Sequence, residues 1–252
     1  MAIAGIILAA GQSKRMKSDK VKVLHNLYGR PILSYTIEAV KGSGVEKIFI
    51  VVGYQAERVI ERFQDSNITF VIQNERLGTA HAVEQTRSYL SNFKGDIIVL
   101  CGDTPLIQSE TLKELCRRHR EAKAAITLLT AIINNPAGYG RILRNQDGTL
   151  EAIIEDKDTT SDQRQIKEIN AGIYCFNNKV LFDLLPQIGC NNKQREYYLT
   201  DIIFLAKKRK YRLESYLLPD FNETRGINTQ AELIQVERVL KERVDCFNRI
   251  SP

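Results

Sequence analysis

A glycine turn followed by a run of cations is the first place in this chain where chemistry can gather. Leu8-Ala9-Ala10-Gly11 is followed by Lys14, Arg15, Lys17 and Lys22. Gly11 can take dihedrals closed to other residues, and Ala9 and Ala10 block little, so the backbone can come close to a ligand. Backbone N–H groups and cations together make an anion site, with a polyphosphate as the natural guest. A turn with one glycine and some lysines is also common on protein surfaces. Neither familiar phosphate motif fits, because Gly11 has no second glycine five residues on and the dinucleotide G-x-G-x-x-G pattern fails at Ser13.

Three further loops carry suitable residue types. Gly102-Asp103-Thr104-Pro105 follows an apolar run. An acidic residue directly after a strand, stiffened by glycine and proline, suits a divalent metal beside bound phosphates; it equally suits an aspartate that closes a turn with its own side chain. Gln73 offers a donor and an acceptor to the edge of a base, Gly78 permits close approach, and Thr79 supplies a hydroxyl where a helix opens, or an ordinary cap. His81 reads as a structural histidine. Gly138-Tyr139-Gly140 fits backbone contact with a polar ring such as a sugar, or a plain tight turn.

Those loops must be held by the elements around them. Short β-branched or apolar runs at 2–10, 47–52, 69–73 and 96–101 alternate with helical spacing at 31–41, 55–63, 79–90 and 109–121. This alternation predicts an α/β fold, Rossmann-like, with a mostly parallel central sheet flanked by helices. Ligands of such sheets sit outside the carboxyl ends of the strands, here at 11–22, 53–54, 74–78 and 102–105. From Lys123 the pattern shifts to strands at 125–133, 140–143, 150–155 and 168–176 with a hairpin turn at 145–148. Helices at 177–185 and 198–208 and a strand at 211–218 complete a smaller lobe folded against the same sheet. The segment 229–247 is helical, with Leu233, Val236, Leu240, Val244 and Phe247 on one apolar face.

Composition narrows the function classes. The 252 residues, 43% hydrophobic, can bury a large core. A net charge of +6 suits an anionic ligand, whereas dispersed cations without aromatic platforms argue against nucleic acid. The five cysteines are widely spaced and never in a C-x-x-C arrangement, which predicts reduced thiols in a cytoplasmic protein. Neither an export signal nor an apolar run of membrane-spanning length is visible, so no membrane association is expected.

Taken in order, the motifs carry a resemblance. They are Leu-Ala-Ala-Gly (8–11) with Arg15, Met16 and Lys22; Gln73 with Leu-Gly-Thr (77–79); and Gly-Asp-x-Pro-Leu-Ile (102–107). Gly-Tyr-Gly-Arg-Ile (138–142), Glu155, Ile-Asn-x-Gly-Ile (169–173), Glu-Tyr-Tyr-Leu-Thr-Asp (196–201) and Gly-Ile-Asn (226–228) follow. Together they resemble the uridyltransferase domain of bacterial N-acetylglucosamine-1-phosphate uridyltransferases, over essentially the whole chain. The resemblance implies a nucleotidyltransferase domain over 1–228, with a nucleotide-binding part to about 122 and a sugar-binding part from about 123, then a C-terminal helix. It implies transfer of UMP from UTP to the sugar 1-phosphate. On this basis Leu8, Ala10, Gly11, Gln73, Gly78 and Thr79 surround the nucleotide, Arg15 holds the leaving pyrophosphate and Lys22 the α-phosphate. Asp103 and Asn228 bind Mg²⁺, and Gly140, Glu155, Asn170, Tyr198 and Thr200 hold the amino sugar and its phosphate.

The chain also departs from that pattern. Ser13 stands where a second glycine is usual, and Val21 where a proline usually precedes the lysine, which predicts a less rigidly placed Lys22. Arg225 stands at a usually acidic position near Asn228, where it is expected to weaken metal binding or add a phosphate contact. These departures leave open another sugar or pyrimidine nucleotide, or a non-catalytic nucleotide-sugar-binding relative. Nothing resembling the hexapeptide repeats of the bifunctional members precedes Pro252. If the apolar face of the terminal helix is uncovered, self-association as a homo-oligomer, or a truncated chain, is expected.

Overall fold

The computed structural model describes residues 2–12, 14–16, 18–65 and 67–250, without the side chains of Lys14, Val244 and 246–250; Ser13 and Lys17 lie outside it. In chain order its first half comprises β1 (Ala2–Ala9), the short pair β2 (Asn26–Leu27) and β3 (Arg30–Pro31), α1 (Ile32–Gly42), β4 (Lys47–Val52) and α2 (Ala56–Arg62). It continues with β5 (Ile68–Ile72), α3 (Thr79–Glu84), α4 (Arg87–Leu90), β6 (Gly95–Cys101) and α5 (Ser109–Glu121). The second half adds β7 (Ile126–Ile132), β8 (Arg141–Arg144), β9 (Leu150–Ile154) and β10 (Glu168–Asn177). It ends with α6 (Asn178–Leu184), α7 (Ile202–Lys208), β11 (Leu213–Leu217) and α8 (Gln230–Ile250).

The main sheet runs β11-β7-β10-β6-β1-β4-β5. β1 pairs parallel to β4 and β6, β4 parallel to β5, and β11 parallel to β7; β10 is antiparallel to both of its neighbours in this order. The period-two alternation of side chains requires covering on both sides. Ala4, Ile6, Phe49, Val51, Ile97 and Val99 join one core cluster, and Ile3, Ile7, Ile48, Ile50, Ile98 and Leu100 the other. The four parallel strands β1, β4, β5 and β6 therefore end at one edge, and their following loops meet there, as expected.

Two expected helices differ in detail. The segment 79–90 breaks into α3 and α4 because the buried Thr86 donates its hydroxyl back to the Val83 carbonyl at 2.7 Å. The segment 198–208 opens with a 3-10 turn, Leu199–Asp201, before α7. In β10 the register with β7 shifts between Asn170 and Tyr174, so four residues of β10 span two of β7. Gly172, at φ +71°, makes this bulge, and its N–H donates to Asn170 Oδ1 at 3.0 Å.

Over its described side chains the terminal helix packs its apolar face against the body of the protein. Val236 is 1% exposed and packs with Leu233, Val239 and Leu240 against Met16, Leu27, Ile32, Leu106 and Ile227. Arg243 adds a bond to the Leu106 carbonyl at 2.8 Å and an ion pair to Asp220 at 3.0 Å. The condition for self-association is thus not met at Leu233, Val236 and Leu240; the side chains of Val244 and Phe247 lie outside the description. Cys101, Cys116, Cys175 and Cys190 are free thiols, and no helix among the described residues is long and apolar enough to cross a membrane.

Candidate active site

At the carboxyl edge of the parallel strands lies a cleft of about 450 Å³. Leu8, Ala10, Gly11, Lys22, Gln73, Gly78, Thr79 and Asp103 all line it. Small residues at the end of β1 leave the floor open, and the 3-10 turn Lys22–Leu24 brings Lys22 to the wall. The preceding Val21 has φ −54°, within the range a proline ring would impose, and is 2% exposed. Burial at Val21 therefore accompanies a backbone angle that also suits proline.

Asp103 sits just beyond β6. Its carboxylate is ion-paired with Lys22, whose Nζ also donates to Asn228 Oδ1 at 3.0 Å. The Ile227 N–H donates to the Asp103 carbonyl at 3.0 Å, which fixes the 226–228 segment beside β6. The Asn228 N–H in turn donates to Glu232 at 2.7 Å. Two hard oxygen ligands therefore converge on one cationic point, and the donor set fits a small divalent cation. Among the described residues no group of three or more His, Cys, Asp or Glu could hold a metal alone. A divalent cation held here would complete its coordination with oxygens of phosphate or water.

Gln73 is 4% exposed, and its amide nitrogen donates to the Gly78 carbonyl at 3.2 Å and meets His81 Nδ1 at 2.9 Å. With those N–H groups engaged, Oε1 is left as an acceptor. His81 is thereby partnered at both ring nitrogens, Nδ1 by Gln73 and Nε2 by Gln85 at 3.1 Å. The glycine at 78, which lines the cleft, also meets a need within the fold. At φ +115° it lets the chain pass beneath Tyr197, whose carbonyl oxygen would lie 2.5 Å from an added Cβ. Thr79 does not cap its helix; its Oγ1 accepts from the Leu199 N–H at 2.9 Å.

None of the residues expected around the sugar lines this cleft, but Leu199, between Tyr198 and Thr200, is hydrogen-bonded to Thr79, which does. The Asn170 N–H donates to the Gly140 carbonyl at 2.9 Å, and Asn170 Nδ2 donates to the Tyr174 hydroxyl at 2.6 Å. Thr200 donates to Glu155 at 3.0 Å. Burial raises the Glu155 pKa, opposed by the Thr200 bond and assisted by Asp201, Asp158 and Asp156. Burial pushes the Cys101 thiol up to about 12, with Asp103 and Glu155 adding to the rise and Lys22 opposing it. Cys101 thus lies within electrostatic reach of both groups. Tyr198 is 6% exposed; its hydroxyl is buried without a well-formed hydrogen bond, and burial pushes its pKa up to about 12.

Arg15 and Arg225 also stand apart from the cleft. Arg15 is exposed on the turn after Gly11 and does not line the cleft. Arg225 turns away from the Lys22 cluster: it donates to Asn222 at 2.8 Å and Gln235 at 3.3 Å and lies over the Phe221 ring at 5.1 Å. It forms the wall of a separate cleft with Tyr139 and Glu232. Gln12, Arg76, Cys101 and Glu196 line the main cleft and were not singled out from sequence. Gln12 adjoins Gly11, and Arg76 and Glu196 fall inside recognised motifs, so proximity to those motifs was the available signal.

Fold and motif order define a class: residues 4–222 match the family model described as nucleotidyl transferase, and the chain belongs to that family. Among curated relatives it is 46% identical over 239 residues to the bifunctional protein GlmU of Geobacillus thermodenitrificans, covering 95% of this chain and 52% of that protein. The GlmU of Bacillus cereus strain G9842 is 45% identical over 247 residues, covering 98% and 53%. The chain therefore spans about half the length of the curated relatives it matches. Among solved structures, a Bacillus anthracis protein described as a glucose-1-phosphate thymidylyltransferase, in complex with sucrose, superposes with a TM-score of 0.77. The match covers 94% of this chain and 95% of that one at 18% identity, a likeness of fold.

Proposed function

We propose that this chain transfers UMP from UTP to N-acetylglucosamine 1-phosphate, giving UDP-N-acetylglucosamine and pyrophosphate. The observation that carries this reading is the convergence of Lys22, Asp103 and Asn228 at the edge of a cleft lined by Gln73 and Gly78. An oxygen of the sugar phosphate attacks the α-phosphorus in line, and the bond from that phosphorus to the oxygen bridging to the β-phosphate breaks. Lys22 receives the charge that builds on the α-phosphate, while Arg15, on its exposed turn, meets the departing pyrophosphate. The sugar phosphate is already ionised near neutral pH, so no side chain need remove a proton; the residues act by positioning and by neutralising charge.

Asp103 and Asn228 would hold the divalent metal, Mg²⁺, which supplies neutralisation of phosphate charge. Leu8, Ala10, Gly11 and Thr79 wall the nucleotide, and Gly140, Glu155, Asn170, Tyr198 and Thr200 the amino sugar. The acceptor Oε1 left on Gln73 matches the imide N–H of uracil or thymine and mismatches the ring acceptor of cytosine. Pyrophosphate release measured for UTP, dTTP and CTP against several sugar 1-phosphates tests the reading. Fastest turnover is expected with UTP and N-acetylglucosamine 1-phosphate, and Asp103→Ala should remove about two orders of magnitude or more. Folded protein without turnover on any pair would sink the proposal.

A further inference from the structure

We propose that the Lys22 ammonium and a divalent cation compete for one pair of oxygens, the Asp103 carboxylate and Asn228 Oδ1, so that Lys22 has two stations and leaves the first when nucleotide phosphate receives it. This deepens the nucleotidyl-transfer reading and rests on it for the second station.

The two oxygens belong to a fixed frame. Asp103 follows β6 directly, the Ile227 N–H holds its carbonyl, and Glu232 holds the Asn228 N–H. Lys22 is the adaptable partner, an ammonium on a four-carbon stem that reaches both oxygens from across the cleft mouth. Its side chain and that of Asp103 are only 14% and 15% exposed, so removing one charge strands the other in poor solvent. A cation arriving alone must displace the ammonium and gains only two protein oxygens, too few for a six-coordinate ion. A triphosphate changes both sides of the exchange: its oxygens complete the coordination and give Lys22 a new partner. Metal affinity and nucleotide affinity are then coupled, each raising the other by the same factor.

The competition is read most directly by metal binding, independently of turnover. Mn²⁺ binding is measured by calorimetry and by electron paramagnetic resonance of free Mn²⁺, on the whole chain without nucleotide, for wild type, Lys22→Met and Lys22→Arg. Asp103→Asn identifies the site. The expected result is weak binding to wild type, binding about tenfold tighter to Lys22→Met, and weak binding to Lys22→Arg, which keeps the charge. A non-hydrolysable UTP analogue should tighten Mn²⁺ binding to wild type and narrow the gap to Lys22→Met. Thermal melting confirms that each variant is folded. Equal or weaker Mn²⁺ binding to folded Lys22→Met overturns the competition, even if the enzyme releases pyrophosphate normally. Tighter binding to Lys22→Met in a protein without nucleotidyl transfer would uphold the competition and reject the functional reading instead.

Discussion

Replacing Gly78 by alanine separates two reasons for a glycine beside a nucleotide cleft: room for a ligand and room for the chain itself. The added Cβ would stand 2.5 Å from the carbonyl oxygen of Tyr197 and 2.7 Å from its nitrogen, with the backbone at φ +115°. Tyr197 cannot step aside easily. Its N–H donates to the Leu77 carbonyl at 2.7 Å, its carbonyl accepts from Ala80 at 2.9 Å, and Leu199 donates to Thr79 at 2.9 Å. A non-glycine residue at this dihedral costs about 1–3 kcal/mol. Displacing the crossing segment forfeits about two hydrogen bonds at roughly 1 kcal/mol each. Gly78→Ala should therefore lose about 3–5 kcal/mol in urea denaturation of the ligand-free protein. UTP affinity should fall as well, because Glu196 lines the cleft on the displaced segment. An unchanged ligand-free midpoint with weakened UTP binding would refute this reasoning and return the glycine to the role of ligand approach.

Three further outcomes are expected. Because burial raises the Glu155 pKa in the folded state, the unfolded chain loses this proton first and stability falls as pH rises above the ordinary glutamate range; Glu155→Gln should raise the ligand-free melting temperature more at pH 7 than at pH 4.5. Val21→Pro should stabilise by up to about 1 kcal/mol in denaturant titration, since φ −54° already suits proline; a loss would show that its side-chain packing outweighs the entropy gain. Val236→Ala, at a site 1% exposed and packed against Met16, should cost about 1.5–2 kcal/mol, read from the unfolding midpoint; no change would mean that the terminal helix does not brace the turn carrying Arg15.

Much of the frame was legible because it is locally encoded. The runs at 47–52 and 96–101 are apolar on both faces, as strands covered by helices on each side must be, and they appear as β4 and β6 with bounds within a residue. The 145–148 turn reads from Asn145 and Gly148, and Gly148 indeed has φ +80°. What escaped were side-chain choices made against distant neighbours. Thr86 turns its hydroxyl onto Val83 and splits a helix that spacing alone predicts as continuous. Arg225 swings to Asn222, Gln235 and Phe221, although its place in sequence, near Asn228, suggested a part in the metal site.

The sequence by itself determined the order of strands and helices, the loops at the sheet edge and the residue types available there, because periodicity and turn chemistry act over a few positions. The tertiary structure alone decided who meets whom. Lys22 finds Asp103 and Asn228, Thr79 finds Leu199, and Thr200 finds Glu155, pairs far apart in the chain that become neighbours only when the parallel strands end together. It also decided that Val21 is buried at a φ that suits proline and that Gly78 leaves room for Tyr197. Both depend on atoms brought in by the fold, which no local pattern encodes.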